Sequence, residues 1–179
     1  MKKMIDAFDY AGHICKAMKK GILLTTCCEG EVNTMTIGWG TIGIEWGKPV
    51  FIAFVRESRY TKELLERNGE FTVNVPFEEV EPKILGFCGT KSGRNIDKIQ
   101  AMELTLEEPL SISVPGIKEL PLTLECKVIY KQKQDLDAIP GDLLEKYYPL
   151  NVDGSAPGRN RDYHIAYYGE IVNAYLIEA

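Results

Sequence analysis

Extended segments joined by short turns, with no regular alternation of strand and long helix, restrict the fold of this chain more than any other feature. Residues 22–28, 32–44, 50–55 and 71–75 carry the apolar, β-branched and alternating pattern of strands. Residues 120–131 and 163–177 read as longer strands, the first strongly alternating and the second with Gly169 inside it. Shorter extended stretches fall at 104–106 and 110–113. Parallel neighbours need crossovers of a dozen or more residues, whereas Glu29-Gly30-Glu31 and Gly47-Lys48-Pro49 make only tight turns. The pattern therefore predicts a mainly β, antiparallel barrel with peripheral helices.

The helical segments are few. Met4, Phe8, Ala11, Cys15 and Met18 recur at three- and four-residue spacing, with Asp6 placed to cap the start and Lys19-Lys20-Gly21 suited to the end. His13 lies off that stripe and is expected in solvent. A second helix is predicted over 61–67, stopping at Asn68-Gly69. Residues 78–101 read as helix interrupted by Gly86, Gly89 and Gly93. Residues 139–161 are rich in Pro, Gly and Asn, with a short helix around 143–147. There is no internal repeat, and 179 residues suit one domain spanning 1–179.

Charge and composition exclude several functions. With 21 Lys and Arg against 26 Asp and Glu, the net charge is -5, so a general affinity for nucleic acid or an anionic membrane surface is not expected. No apolar run approaches the ~20 residues needed to span a bilayer, and none follows the basic start Met1-Lys2-Lys3, so a cytoplasmic location is expected. The five cysteines, Cys15, Cys27, Cys28, Cys88 and Cys126, lack a CxxC spacing and read as core thiols, not as a disulfide or zinc framework. Only two histidines are present, which leaves few ways to build a metal centre.

Three segments could carry binding chemistry. Gly38-Trp39-Gly40-Thr41-Ile42-Gly43 matches G-x-G-x-x-G, but Gly47-Lys48-Pro49 follows where a dinucleotide fold needs a helix, so the match is rejected. Arg56-Glu57-Ser58-Arg59-Tyr60-Thr61 runs from a strand into a helix start, where free N–H groups, the Arg59 fork and the hydroxyls of Ser58 and Thr61 suit a phosphate monoester. Equally, Ser58 can simply cap that helix. The loop from Gly89 to Lys98 adds Ser92, Gly93 and Lys98 as further anion-binding candidates. Along 33–39, Asn33, Met35, Ile37 and Trp39 share one face, with Thr34, Thr36 and Gly38 on the other. Such a strand can pass close to a flat ring, or it can be an ordinary half-buried strand.

Taken in order, these segments resemble the flavin reductase-like family, whose fold is the FMN-binding split barrel. The likeness rests on Asn33-x-Met35-Thr36-Ile37-Gly38-Trp39, Arg59-Tyr60-Thr61, Phe71-x-Val73-Asn74, Cys88-Gly89, Ser92-Gly93-Arg94-Asn95-Ile96-Asp97-Lys98, and His164 followed by Gly169-Glu170-Ile171. It covers about residues 20 to 177. It implies a six-stranded antiparallel Greek-key split barrel, a homodimer, and FMN near the subunit interface. Thr34, Thr36 and Trp39 would then line the isoalloxazine. Ser58, Arg59, Thr61 and Lys98 would hold the phosphate, with Ser92 and Gly93 shaping the site. His164 would sit where a nicotinamide stacks, although its other reading is a hydrogen-bonded strand histidine. The implied activity passes electrons from NADH or NADPH through FMN to an acceptor, which includes an electron-acceptor protein. The alternatives are a non-catalytic FMN electron carrier and an apo interaction protein. Asp162 departs from the family pattern, being separated from His164 by Tyr163. The 139–161 segment is also long, and its Tyr147-Tyr148-Pro149, Arg159 and Arg161 could form a lid over the flavin or block a nicotinamide.

Overall fold

The strands assemble into one continuous antiparallel sheet in the computed structural model, which describes residues 1–77, 81–152 and 161–178. The sheet strands are β1 (Lys2–Met4), β2 (Ile22–Cys28), β3 (Glu31–Ile37), β4 (Gly40–Glu45), β5 (Lys48–Arg56) and β6 (Glu70–Val75). A separate short ribbon, β7 (Leu106–Glu107) and β8 (Gly116–Ile117), precedes the two long strands β9 (Leu122–Lys133) and β10 (His164–Ile177). The path runs β3-β2-β6-β9-β10-β5-β4, with β1 added beside β10.

Chain connectivity forces this sheet to roll up. β3 and β4 are the two ends of the path, yet only Gly38 and Trp39 separate them. Three Cα steps reach at most about 11 Å, so the sheet edges must nearly meet. The barrel is therefore split at Gly38-Trp39. The expected single strand over 32–44 is two strands for this reason. That division, together with β1, accounts for eight sheet strands against the six that the family resemblance implies.

The barrel interior is filled by Ile22, Leu24, Phe51, Val55, Phe71, Val73, Leu124 and Tyr167. Leu23, on the opposite face of β2, packs with Ile84, Cys88, Leu104, Ile117 and Leu120 in a second cluster. Both faces of β2 are thus covered, which is why it reads as an apolar run instead of an alternating strand.

Among the described residues, five α-helices decorate the sheet: α1 (Ala11–Met18), α2 (Tyr60–Asn68), α3 (Pro82–Thr90), α4 (Lys98–Ala101) and α5 (Gly141–Tyr147). None of the described helices is long and apolar enough to cross a membrane. Asp6 does cap the first turn, accepting from the Phe8 N–H at 2.9 Å, but that turn is a 3-10 turn over Ala7–Tyr10. Its tighter winding changes the phase, so Ala7, Ile14 and Met18 are buried while Met4, Phe8 and Cys15 are exposed. His13 is not solvated; its Nε2 lies 2.7 Å from the Pro76 carbonyl and its ring stacks on Phe77.

α3 passes through Gly86 and Gly89, and the helical stretch breaks only at Lys91. The part of that expectation at 78–80 lies outside the described residues. Residues 110–113 form no strand, because carboxylates take their N–H groups. Buried Glu125 accepts from Leu110 and Ser111, and Glu70 accepts from Ser113. β4, not a helix, follows the glycine run at 38–43, in keeping with the rejected dinucleotide motif.

Candidate functional site

The split in the barrel gathers the ends of β3, β5 and β10. Arg56 and His164 are register partners, so the strand end before α2 lies beside the start of β10. The ladder continues one step as the Glu57 N–H donates to the Tyr163 carbonyl at 3.0 Å, and Asp162 Oδ2 then accepts from the Ser58 N–H at 2.8 Å. Burial works to raise the Asp162 pKa, but the bonds from Ser58 and the charge of Arg56 outweigh it and hold the carboxyl below its usual range. This fixes the turn from which Arg59 and α2 depart.

One cavity of about 140 Å³ lies at that turn, between β3, the start of α2 and the loop over 89–94. Its walls include Ser58, Arg59, Thr61, Ser92, Gly93 and Lys98, brought together from three separate stretches of sequence. Arg59, Lys91, Arg94 and Lys98 put four cations on its walls, and no carboxylate is among its described lining residues. In a chain of net charge -5, that segregation of charge gives the cavity the electrostatics an anion needs.

The donors in this cavity are held in place. Lys98 is 5% exposed, and its Nζ donates to the carbonyls of Thr34 at 2.8 Å and Cys88 at 3.0 Å. Burial, aided by the charge of Arg59, lowers its pKa to about 8. The Thr61 hydroxyl accepts from Asn33 Nδ2 at 2.9 Å, which leaves its own proton to donate. Arg59 is the N-cap of α2 and makes no side-chain cap bond; Ser58 is exposed and does not cap the helix. Arg94 straps the loop down by donating to the Ser58 carbonyl at 3.0 Å and pairing with Glu63.

Two further observations show a cradle. Asn33 Oδ1 is buried without a hydrogen-bond partner among the described residues. A Cβ on Gly93 would lie 2.1 Å from that same oxygen and 2.9 Å from the Tyr60 ring, so only glycine permits the approach.

A second cavity of about 180 Å³ adjoins the first, and Met35 and Arg59 line both. Thr36, Trp39, Phe54, Arg56 and His164 are also among its walls. Trp39 is 38% exposed, tilts over His164 at 4.8 Å between ring centroids, and meets the edge of Tyr147 at 5.1 Å. Arg56 donates to the carbonyls of Asp162 and Tyr147, and its guanidinium lies over the rings of Trp39 and Tyr148. Burial and the nearby positive charge of Arg56 push the His164 pKa down to about 4, so the imidazole is neutral near pH 7.

The structure separates the expected ring residues. Trp39 and Thr36 line the second cavity, the Thr36 hydroxyl being given to the Leu85 carbonyl at 2.7 Å. Thr34 does not reach it. Strand alternation puts its side chain on the sheet face shared with Leu23 and Thr25, opposite the barrel interior, where it is fully buried and bonds Thr25 Oγ1 and the Leu24 carbonyl, so that only its own carbonyl serves the site, through Lys98. Asn33, Met35 and Arg56 are lining residues that sequence reasoning did not select. Asn33 and Met35 were detectable by sharing a strand face with Trp39. Tyr147 of the 139–161 segment borders the site, whereas Arg159 lies outside the described residues. Cys88 and Cys126 are buried thiols, their pKa values raised by burial, but Cys15 is exposed and Cys27 and Cys28 are half-buried, so not all five are core thiols. No group of three or more potential metal ligands occurs among the described residues.

Residues 16–179 match the family model described as a flavin reductase like domain. Among solved structures, the chain is similar to a flavoredoxin from Methanosarcina acetivorans, with 27% identity, a TM-score of 0.62, and coverage of 88% of this chain and 68% of that one. It is also similar to a putative flavin reductase with a split barrel domain from Shewanella frigidimarina, with 16% identity, a TM-score of 0.66, and coverage of 97% and 76%, which bears on the fold alone. An uncharacterized protein of Archaeoglobus fulgidus is 36% identical over 97 residues, 54% of each chain. The match thus spans about half the length of that curated relative. With a family match over nearly the whole chain and a sheet split at Gly38-Trp39, this protein belongs to the flavin reductase-like domain family.

Proposed function

We propose that this chain is an FMN-binding flavoprotein that takes electrons from NADH or NADPH and delivers them to an acceptor. One observation carries the reading: a cavity whose described walls hold four cations and no carboxylate shares the walls Met35 and Arg59 with a cavity lined by Trp39, Phe54 and His164. A ligand with a phosphate at one end and a flat aromatic ring at the other matches that pair. The donor set fits a phosphate monoester, and Gly93 with the unpaired Asn33 Oδ1 forms a cradle beside it. Arg59, Thr61 and Lys98 hold the phosphate, Ser92 and Gly93 shape the loop around it, and Trp39, Thr36 and His164 flank the ring. Bound FMN supplies the redox chemistry, so the protein needs no nucleophile of its own.

The similarity to the flavoredoxin from Methanosarcina acetivorans supports a second reading, an FMN electron carrier that does not itself react with nicotinamide. The visible spectrum of the purified protein, followed by anaerobic addition of NADH or NADPH, separates the two. Flavin bands that bleach rapidly are the expected result. Bands that bleach only with dithionite would establish the carrier, and a colourless protein that binds no added FMN would refute both.

The functional unit in this reading is a homodimer. Trp39 on the wall of the ring cavity is 38% exposed, leaving a face for a second copy to cover. Sedimentation of the FMN-loaded protein at micromolar concentration is expected to give a dimer, and a monomer alone would contradict it.

A further inference from the structure

The hydrogen bonds around His164 determine which of its nitrogens carries the proton. His164 is 6% exposed, and its Nδ1 lies 2.8 Å from the Tyr148 hydroxyl. That hydroxyl donates to Gln134 Oε1 at 2.8 Å, and the same oxygen accepts from the His164 backbone N–H at 3.1 Å. The backbone bond orients the Gln134 amide, because a reversed amide would set NH2 against N–H. An amide oxygen can only accept, so the phenol proton is committed to Gln134. The phenol oxygen is left to accept, and the imidazole must supply the proton from Nδ1.

A neutral imidazole has one N–H, so Nε2 keeps a lone pair. Double protonation is opposed by burial and by Arg56 and Arg59, which hold the pKa near 4 against the opposite pull of Asp162. Nε2 has no hydrogen-bond partner among the described residues, and the ring lines the cavity that also holds Trp39.

We propose that Tyr148 and Gln134 are positioning residues that lock His164 with its proton on Nδ1, so that the ring cavity presents a hydrogen-bond acceptor and binds ligands that bring an N–H donor. The ligand half rests on the flavoprotein reading above; the tautomer half does not. Two N–H sources share this chemistry, an N–H of the flavin ring and the carboxamide of a nicotinamide. Both Tyr148 and Gln134 come from the stretch between β9 and β10, which therefore sets the polarity of the site without touching the ligand.

Two-bond proton–nitrogen spectra of the ¹⁵N-labelled full chain report which imidazole nitrogen is protonated. The chain has two histidines, so a His13→Gln variant assigns the signals. At pH 7 the wild type is expected to show Nδ1–H and a bare Nε2. Gln134→Leu frees the phenol proton to turn onto Nδ1, so the majority tautomer reverses to Nε2–H. Tyr148→Phe removes the acceptor and also moves the proton toward Nε2. A role confined to packing would leave the tautomer unchanged in both variants. Adding FMN, and then NAD⁺ to the FMN-loaded chain, should shift the Nε2 signal. A shift with FMN alone identifies the flavin as donor. A shift only with NAD⁺, absent with its 3-acetylpyridine analogue, identifies the carboxamide.

A wild-type proton on Nε2, or an unchanged tautomer in both variants, overturns the lock. The expected tautomers with no Nε2 shift on FMN or NAD⁺ binding overturn the acceptor role. Failure of FMN to bind at all would contradict the flavoprotein reading and the ligand half, and leave the tautomer result standing.

Discussion

Lys98→Met is expected to weaken FMN binding by about 100-fold while changing riboflavin binding far less. A hydrogen bond to a charged group contributes roughly 1.5–3 kcal/mol, and 1.4 kcal/mol is a factor of ten. Lys98 belongs near the upper end because it is 5% exposed and little screened. Two of its three protons are bound by the Thr34 and Cys88 carbonyls, which aim the ammonium and leave one proton for the cavity. Its pKa of about 8 adds a pH signature. The folded value lies below the ordinary lysine value of 10.5, so in the free protein the buried charge opposes folding below about pH 8, and that cost is relieved as pH rises toward 10.5. A bound phosphate favours the charged form, so wild-type affinity for FMN should fall as pH rises through 8. Titrations on either side of that pH, by flavin fluorescence quenching, check both points. Equal losses for FMN and riboflavin, or the same pH profile in the variant, would remove Lys98 from the phosphate site.

Gly169→Ala is expected to destabilise the barrel by about 3 kcal/mol, at the upper end for an overpacked core. The added Cβ would lie 2.4 and 2.6 Å from the Phe71 ring and 2.8 Å from the Cys126 Cβ. Phe71 and Cys126 are fully buried and are register partners, so neither can retreat without opening the β6–β9 ladder. At the Tyr168–Gly169 step the register partner in β9 jumps from Tyr130 to Val128, so Ile129 is an extra residue in β9 beside this contact. Combining Gly169→Ala with Phe71→Leu should recover part of the loss. Gly43→Ala, with nothing near its added Cβ, should be close to neutral. Urea midpoints measure all three, and a Gly169→Ala midpoint equal to wild type would contradict the packing described here.

The same contrast shows what the sequence could reveal. Six strand segments were legible because alternation and short turns are local signals, and the carboxylate-free cavity draws on residues that stand in recognisable loop runs. The split at Gly38-Trp39 was hidden, since nothing local says that β3 and β4 lie at opposite ends of a path closed through five other strands. Thr34 was misplaced because nothing local says that its register partner on β2 is Thr25, whose hydroxyl it bonds. Gln134 carries no pattern at all, and Arg56 and Tyr148 stood in noted runs without the roles they have here; those roles come from partners brought together by the pairing of β5 with β10 and the return of the chain after α5. Helix α1 was read in the wrong phase because a 3-10 turn precedes it.

The central claim is that one cleft holds a phosphate at Arg59, Thr61 and Lys98 and a flavin ring at Trp39 and His164. The most direct test is to titrate wild type and Arg59→Ala with FMN and with riboflavin, which lacks the phosphate. The account predicts that Arg59→Ala weakens FMN binding by roughly 10- to 100-fold, the equivalent of one charge-assisted hydrogen bond, and costs riboflavin far less. Equal losses for the two ligands, or no loss for either, would contradict it.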